Sequence, residues 1–403
     1  MGMAAPLTQT PDPSAARRWA PFALGFRPFY LGGAAWALLT LPLWLAFLAG
    51  HLDLPMADPL AWHAHEMLFG FAAAIIAGFL FTAVRNWTGN ETPRGACLAA
   101  LAALWLAGRV LLLAAPGWPA AVVDLAFLPA IAIAIARPIL AMTPPKGKGR
   151  PWMPVVILSL LTFANLLLHL GMQGVLENGR ALGQSVALGA VAMLIAIIAG
   201  RIVPSFTMTA AQVIVPVAKG RDRAALWALG IAIALDVAAQ LIAVPALLLA
   251  AANGVAALLH FARLQQWRSH RALRIPLLAI LHIAYFWLPL AFALRALAAL
   301  DLVPPAMAVH ALGIGAMAGM MLAMMTRSAL GHTGRKLKAG PIEIAVYAAI
   351  MLAALLRLCA ALHAEWQMPL LSAAGLAWEA AFGLFLLRYA PILLRPRIDG
   401  RPG

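Results

Sequence analysis

The chain has 403 residues, of which 64% are hydrophobic and only 11% are charged, and its mean hydropathy is +0.90. No arrangement of soluble layers hides this much apolar surface from water, so the composition predicts an integral membrane protein. The net charge of +15 would suggest nucleic acid as the partner of a soluble domain. Membrane proteins, however, accumulate Lys and Arg in their inner loops, and we expect no nucleic-acid partner.

The apolar residues fall into about twelve stretches, each long enough to cross a lipid bilayer as a helix of about 17 to 25 residues. The predicted fold class is therefore all-α, with about twelve transmembrane helices. The predicted spans are residues 29–49, 64–84, 96–114, 119–137, 152–172, 181–200, 224–241, 243–262, 276–299, 306–326, 342–362 and 370–390. Polar tails over residues 1–28 and 391–403 flank this 29–390 transmembrane domain, and the first tail lacks the apolar core of a secretory signal.

The basic residues provide a test of this topology, because Lys and Arg in short loops stay on the cytoplasmic side. With the spans above, all basic residues fall on one side except Arg109, Arg180, Arg295 and Arg357. We therefore predict that both termini are cytoplasmic and that the number of spans is even.

Spans two, six and ten share a sequence pattern and are spaced four helices apart. The shared elements are His63-Ala64, Arg85 and Thr88-Gly89; Gly200-Arg201 and Thr207; and His310-Ala311, Arg327 and Thr333-Gly334. This spacing predicts three arcs of four helices around a pseudo-threefold axis.

The topology sorts the ten histidines into two layers. The outer layer contains His51, His63, His65, His169, His310 and His363, and the inner layer contains His260, His270, His282 and His332. His63 follows Pro59 by four residues and His310 follows Pro305 by five, so their rings reach similar depths on different helices. Facing histidines at one depth can bind haem iron. The alternative for each is a ring that reaches the interface or bonds a backbone carbonyl, which we expect for His51, His270 and His363.

His63 and His65 point about 200° apart on an ideal helix and are not expected to bind one metal together. Either one binds and the other tunes it, or a distorted helix start lets them serve two centres. Glu66 is a candidate proton carrier or imidazole orienter; the alternative is an acid favoured by the helix dipole.

His282 and Tyr285 are predicted one turn apart and buried in span nine. A buried imidazole must be paired or liganded, so we expect a functional role, with Tyr285 as a candidate catalytic residue. The alternative is a hydrogen bond from His282 to a Ser, Thr or Tyr on another helix.

Span ten combines glycines with methionines and ends at His332. Small residues admit a flat ligand or a neighbouring helix, and thioethers with His332 suit copper(I). Ordinary packing by methionine is the alternative.

Three arginines lie at the inner exits of spans two, six and ten: Arg85, Arg201 and Arg327. They are candidates for holding haem propionates, the alternative being charge that only sets topology. Asp124, Asp236 and Glu379 are predicted inside spans, which makes a proton route possible without giving its order.

Several motifs resemble the NnrS family across nearly the whole chain. They are Phe26-Arg27-Pro28-Phe29, Trp62-His63-Ala64-His65-Glu66-Met67-Leu68-Phe69-Gly70, Asn86-Trp87-Thr88-Gly89, Arg201 to Thr207, His282-Ile283-Ala284-Tyr285-Phe286-Trp287-Leu288, His310-Ala311-Leu312, Met324-Met325-Thr326-Arg327 and Gly331-His332-Thr333-Gly334-Arg335. Arg27 and Trp87 in these motifs join the expected cofactor-binding residues.

The resemblance implies a bacterial inner-membrane protein of about twelve spans that contains haem and copper and protects cells from nitric oxide. It does not decide which histidines bind iron. The adjacent His-His pair of haem-copper oxidases is absent, which argues against their copper or non-haem iron centre.

The predicted function is a haem b protein that binds or reduces nitric oxide, or clears iron-nitrosyl species. The expected haem or metal ligands are His63, His65, His282, His310 and His332, and Glu66 is the expected proton carrier. A nitric oxide reductase would also need electrons from a quinol or a cytochrome. Two alternatives remain: a transporter of small molecules or metal complexes, and a haem-based gas sensor without turnover.

Overall fold

The protein is built from long helices that follow one another through short loops. A computed structural model describes residues 19–54, 58–144, 149–216 and 218–401, and within these ranges it contains no β-strand. The long helices are α1 (Phe26–Leu48), α2 (Pro59–Thr88), α3 (Gly95–Ala114), α4 (Trp118–Ala141), α5 (Met153–Met172), α6 (Gly179–Ala211), α7 (Lys219–Ala238), α8 (Ala246–Gln266), α9 (Pro276–Ala298), α10 (Pro305–His332), α11 (Pro341–Leu362) and α12 (Ala364–Leu394). These helices confirm the all-α membrane fold.

Eleven helices of the described ranges are long and apolar enough to cross a bilayer. The remaining long helix, α7, has 20 residues, but its first turn carries Lys219, Arg221, Asp222 and Arg223, which makes it less apolar than the others. The break between the seventh and eighth predicted spans is confirmed, with Pro245 at the start of α8. The helices α1 and α12 extend slightly beyond the predicted 29–390 domain, and residues 1–18 of the predicted N-terminal tail lie outside the described ranges.

The helices that carry the sequence motifs occupy the centre of the bundle. The most apolar stretch of α2 is 89% buried, and those of α9, α10 and α6 are 78%, 72% and 67% buried, whereas those of the other spans are at most 50% buried. α2, α6 and α10 contact one another pairwise, and α1 packs against α12. The motif-bearing spans therefore meet, while the pseudo-threefold axis stays a prediction.

Both α2 and α10 contain a π-helical segment immediately after a histidine. The segments are Glu66–Ala72, which follows His65, and Ala311–Ala318, which follows His310. Each helix also starts with a proline in its first turn. A π-turn shifts the register of the side chains that follow, and such segments occur frequently at functional sites. In α2 both His63 and His65 precede the π-segment, so this distortion does not change the angle between the two histidines.

Three of the four basic residues that do not fit the alternation of charge form ion pairs. Arg109 pairs with Glu66 and Asp124. Arg180 pairs with Asp58, and Arg295 with Asp236 at 2.7 Å. Arg357 lies close enough to His63 and His310 to interact electrostatically with both. Arg109 and Arg295 therefore serve pairing between helices, whereas Arg180 pairs with Asp58 at the surface.

Candidate functional site

One buried polar cluster joins α2, α3, α4 and α5. We call it the His65 cluster; its members are His65, Glu66, Arg109, Asp124, Asn165 and His169. All six side chains are at most 3% exposed. Charged groups at such depth are rare in membrane proteins, and they are usually paired and functional.

Glu66 is the centre of the first half of this cluster. Arg109 Nη1 donates to its two carboxylate oxygens at 2.9 and 2.8 Å, and Trp36 Nε1 donates at 2.6 Å. Nδ1 of the adjacent His65 lies 2.9 Å from Glu66 Oε1. A carboxylate held by so many donors is fixed in position, and these contacts match the expected role of orienting an imidazole.

Asp124 is the centre of the second half. Its Oδ2 lies 3.1 Å from His65 Nε2, 2.8 Å from His169 Nε2 and 2.7 Å from Asn165 Nδ2. Its Oδ1 contacts Arg109. His65 Nε2 also lies 3.0 Å from Asn165 Oδ1. Because two imidazoles and a carboxylate oxygen lie within 4.8 Å of one another, this donor set could hold a metal ion.

Small residues and the π-segment of α2 position these side chains. A Cβ on Gly70 would lie 2.5 Å from Glu66 Oε2 and 2.6 Å from Trp36 Nε1, so only glycine leaves room for that hydrogen bond. The Gly70 carbonyl accepts from Trp105 Nε1 at 2.9 Å. On α3, a Cβ on Gly108 would lie only 3.1 Å from the Asp124 Cα. Because glycine has no Cβ, α4 can pack close to α3 beside Arg109.

His63 and His310, the two histidines predicted at one depth, form a second candidate pair. The two imidazoles are close enough to interact electrostatically. His63 stacks on Trp44 with ring centroids 4.7 Å apart and planes 10° apart. Among the described residues, its buried Nδ1 has no hydrogen-bond partner. His310 Nδ1 donates to the Ala306 carbonyl at 2.7 Å, which leaves Nε2 unprotonated in the neutral ring.

His282 has both ring nitrogens occupied by hydroxyl groups. Thr207 Oγ1 lies 2.9 Å from Nε2, and Ser269 Oγ lies 3.0 Å from Nδ1. These contacts match the alternative prediction of hydrogen bonds to other elements. By helix rise, the depths of His282 and His310 on the antiparallel helices α9 and α10 differ by about 16 Å. His282 therefore does not share a site with His310.

Tyr285 belongs to a separate buried group with His260 and Arg263. Its hydroxyl lies 2.6 Å from His260 Nδ1 and accepts from Arg263 Nη1 at 3.2 Å. Arg263 Nε donates to Asp222 at 2.8 Å. The geometry thus places the candidate catalytic Tyr285 in a hydrogen-bonded helix contact, apart from the His65 cluster.

The remaining predicted residues lie at the inner ends of the helices. Arg201 lies over the Trp87 ring at 5.4 Å and Arg327 over the Phe206 ring at 3.8 Å, which connects α2, α6 and α10. Arg85 pairs with Glu91 at 3.1 Å.

The end of α10 belongs to the same inner region. Arg27 Nη1 donates to the carbonyls of Leu393 and Arg395 at 2.7 and 2.6 Å, and the His332 ring lies 5.7 Å from that of Phe26. Arg85 follows His63 by about 33 Å of helix. One haem therefore cannot contact both the His63–His310 pair and the inner arginines.

The sequence predictions missed parts of the His65 cluster. Asn165 and Trp36 gave no signal among many similar residues. Arg109 was visible as a charge inside an apolar span, and Asp124 and His169 were visible singly. Their association depends on which way each helix faces, which a single sequence does not give.

In the described ranges, a bundle of twelve long helices with a buried cluster of histidine and acidic side chains defines a multi-pass membrane protein with a candidate metal site. A comparison with curated proteins found no match. The family model described as NnrS protein matches residues 20–397. The chain therefore belongs to the NnrS family, and this membership indicates a role in the response to nitric oxide.

Proposed function

We propose that the protein binds haem b between α2 and α10, with His63 and His310 as the iron ligands, in the bacterial inner membrane with both termini cytoplasmic. In this proposal it acts against nitric oxide by binding or reducing it, or by clearing iron-nitrosyl species. The observation that carries the proposal is the electrostatic interaction of two partly buried imidazoles on separate central helices, each with a nitrogen available to a metal.

The two rings suit a metal ion better than they suit a structural contact. Buried imidazoles normally satisfy both ring nitrogens, yet His63 makes no hydrogen bond to a described residue through its buried Nδ1. The Ala306 carbonyl fixes the His310 ring, as backbone carbonyls do for metal-binding histidines. Both ligands would therefore be neutral and oriented before the haem arrives.

Each part of the surrounding chain has a definable task. When bound, the haem would supply an iron that exchanges electrons and, with one of the two histidines displaced, coordinates nitric oxide. Trp44 holds the His63 ring by stacking. Arg357 places a positive charge beside both histidines, which favours an anionic group such as a propionate. Glu66, fixed by Arg109 and Trp36, orients His65.

An absorption spectrum of the purified protein, taken with and without dithionite and nitric oxide, tests the haem proposal. We expect a Soret band that shifts with reduction and with nitric oxide. His63→Ala and His310→Ala should each lose most of the haem, measured as the pyridine haemochrome. His51→Ala and His363→Ala are matched controls, since both rings are exposed, and should retain it. No Soret band, or full haem in both ligand variants, would refute the assignment.

Turnover separates the modes of action. A reductase consumes nitric oxide continuously with a quinol analogue or a reduced cytochrome as electron donor, whereas a sensor binds it once per haem. A haem-free protein that moves a metal complex across proteoliposomes would instead favour the transporter.

A further inference from the structure

The His65 cluster has the composition of a second metal site, separate from the proposed haem. We propose that it binds one divalent first-row transition-metal ion through His65 Nε2, His169 Nε2 and Asp124 Oδ2. This inference goes beyond the haem proposal and does not depend on it, because none of the three ligands belongs to the His63–His310 pair.

The positions of the donor atoms fit a single ion. Ligands about 2.1 Å from an ion and at right angles to one another are about 3.0 Å apart. The distances from Asp124 Oδ2 to His65 Nε2 and His169 Nε2 are 3.1 and 2.8 Å. The donors come from α2, α4 and α5, so the fold places the three ligands before an ion binds.

The charges of the cluster leave room for a cation. Glu66 and Asp124 carry two negative charges and Arg109 carries one positive charge, so with neutral imidazoles the cluster has a net charge of −1. Asn165 Nδ2 donates to Asp124, which turns Asn165 Oδ1 toward His65 Nε2 at 3.0 Å. His65 Nε2 therefore faces only acceptor oxygens. Either a proton or a metal ion must occupy that position, since an uncompensated buried charge is costly.

The neighbouring contacts are those of a metal-bound histidine. Glu66 accepts from His65 Nδ1 at 2.9 Å, which leaves Nε2 as the ligand atom, and carboxylate partners of this kind raise ligand basicity. Arg109 bonds Glu66 and also contacts the second Asp124 oxygen, which fixes both carboxylates. His169 Nδ1 has no hydrogen-bond partner among the described residues, so hydrogen bonding fixes this ring only at Nε2, the proposed ligand atom.

The donor types select the class of ion. Two imidazoles and one carboxylate, without sulfur, favour Fe²⁺, Co²⁺ or Zn²⁺ and disfavour Cu⁺. Mg²⁺ and Ca²⁺ prefer oxygen ligands and larger coordination numbers. The two-histidine, one-carboxylate set is typical of non-haem iron sites.

The experiment uses the full-length protein in detergent, stripped with a chelator and titrated with Co²⁺ as the probe. We expect one equivalent of Co²⁺ to bind and to show the d–d absorption bands that are typical of Co²⁺ bound by nitrogen and oxygen ligands. His169→Gln should weaken Co²⁺ binding at least tenfold, and Asp124→Asn should do the same. His260→Gln, a matched control that removes a buried imidazole from another group, should bind as the wild type does.

Haem content measured on the same samples separates the two proposals, since these variants should keep the haem. If the variants fail to fold, zinc EXAFS on the wild-type protein decides: two imidazole ligands support the site. A wild-type protein that binds no Co²⁺ or Zn²⁺, or a folded His169→Gln variant that binds both unchanged, would overturn it and leave a proton on His65 as the compensating cation.

Discussion

Arg109 and Glu66 form an ion pair between α3 and α2 in the interior of the bundle. Arg109 Nη1 lies 2.9 and 2.8 Å from the two carboxylate oxygens, and the exposed fractions of the two side chains are 1% and 0%. Removing one partner of such a pair leaves an uncompensated buried charge.

We therefore expect Arg109→Met to destabilise the protein by about 3–5 kcal/mol, measured by unfolding in mixed detergent micelles. Arg94→Met is the control, because Arg94 pairs with Glu91 at the exposed end of the helix, and its loss should cost about 0–1 kcal/mol. An equal loss of unfolding free energy in the two variants would show that the buried pair stabilises the protein no more than the exposed pair does.

Gly70 makes room for the hydrogen bond between Trp36 and Glu66. Gly70→Ala should displace these side chains and destabilise the protein by about 1–3 kcal/mol. At Gly254, in the middle of α8, an added Cβ meets nothing within 4 Å, so Gly254→Ala should be neutral or stabilising by up to about 1 kcal/mol. Thermal unfolding compares the two, and an unaffected Gly70→Ala variant would mean that the Trp36–Glu66 contact adapts freely.

Stacking of Trp44 on His63 should matter for the proposed haem site. Trp44→Leu leaves the ligand in place but removes its orienting surface, and we expect roughly tenfold weaker haem binding, in the range of outer contacts at metal sites. Haem titration of the apoprotein measures the change. Trp118→Leu serves as the control, since Trp118 lies exposed at the start of α4; a similar loss in both variants would count against the stacking role.

Tyr285→Phe tests whether this tyrosine is catalytic or structural. The hydroxyl bonds His260 and Arg263, so its removal should cost about 1–3 kcal/mol of stability by leaving buried partners unsatisfied. Haem content and the rate of reaction with nitric oxide should stay unchanged. A lower rate in a stable, fully haem-loaded variant would instead support the catalytic role.

The segment after α12 provides a pH-dependent contact outside the spans. Arg397 Nε and Nη2 donate to Asp399 at 2.8 and 2.5 Å, and Arg397 Nη1 donates to the His332 carbonyl at 2.9 Å. The Arg397 guanidinium lowers the pKa of Asp399 from 3.8 to about 2.

Because the folded pKa is the lower one, this contact stabilises docking fully above about pH 4 and is lost as the pH falls toward 2. The protection of amides 395–400 from exchange, measured relative to the intrinsic rate at each pH, should therefore fall over that range. In Asp399→Asn these amides should already be less protected at neutral pH, and their protection should not change further between about pH 4 and 2. The same dependence of protection on pH in the variant and the wild type would contradict the assignment.

The sequence predicted the helices because these features are local, and it led to the prediction that His63 and His310 lie at one depth. Span length follows from apolar runs, and depth follows from the distance to Pro59 and Pro305. The grouping of His65 with Asp124 and His169 was not predicted. It depends on the rotation of three helices about their axes, and the π-segment at Glu66 changes the register that an ideal helix would have.

What the amino-acid sequence by itself determined is that the protein lies in a membrane, that it consists of about a dozen long helices, and the family to which it belongs. Hydrophobic runs and contiguous motifs are properties of the linear chain. The tertiary structure decided the partners of each buried charge. In the tertiary structure Arg109, which did not fit the alternation of basic loops, is the counter-ion of Glu66 and Asp124. The histidines lie in separate groups. The reason is physical: a charge away from water must be compensated within a few ångströms, and only the packing of helices determines which groups come that close.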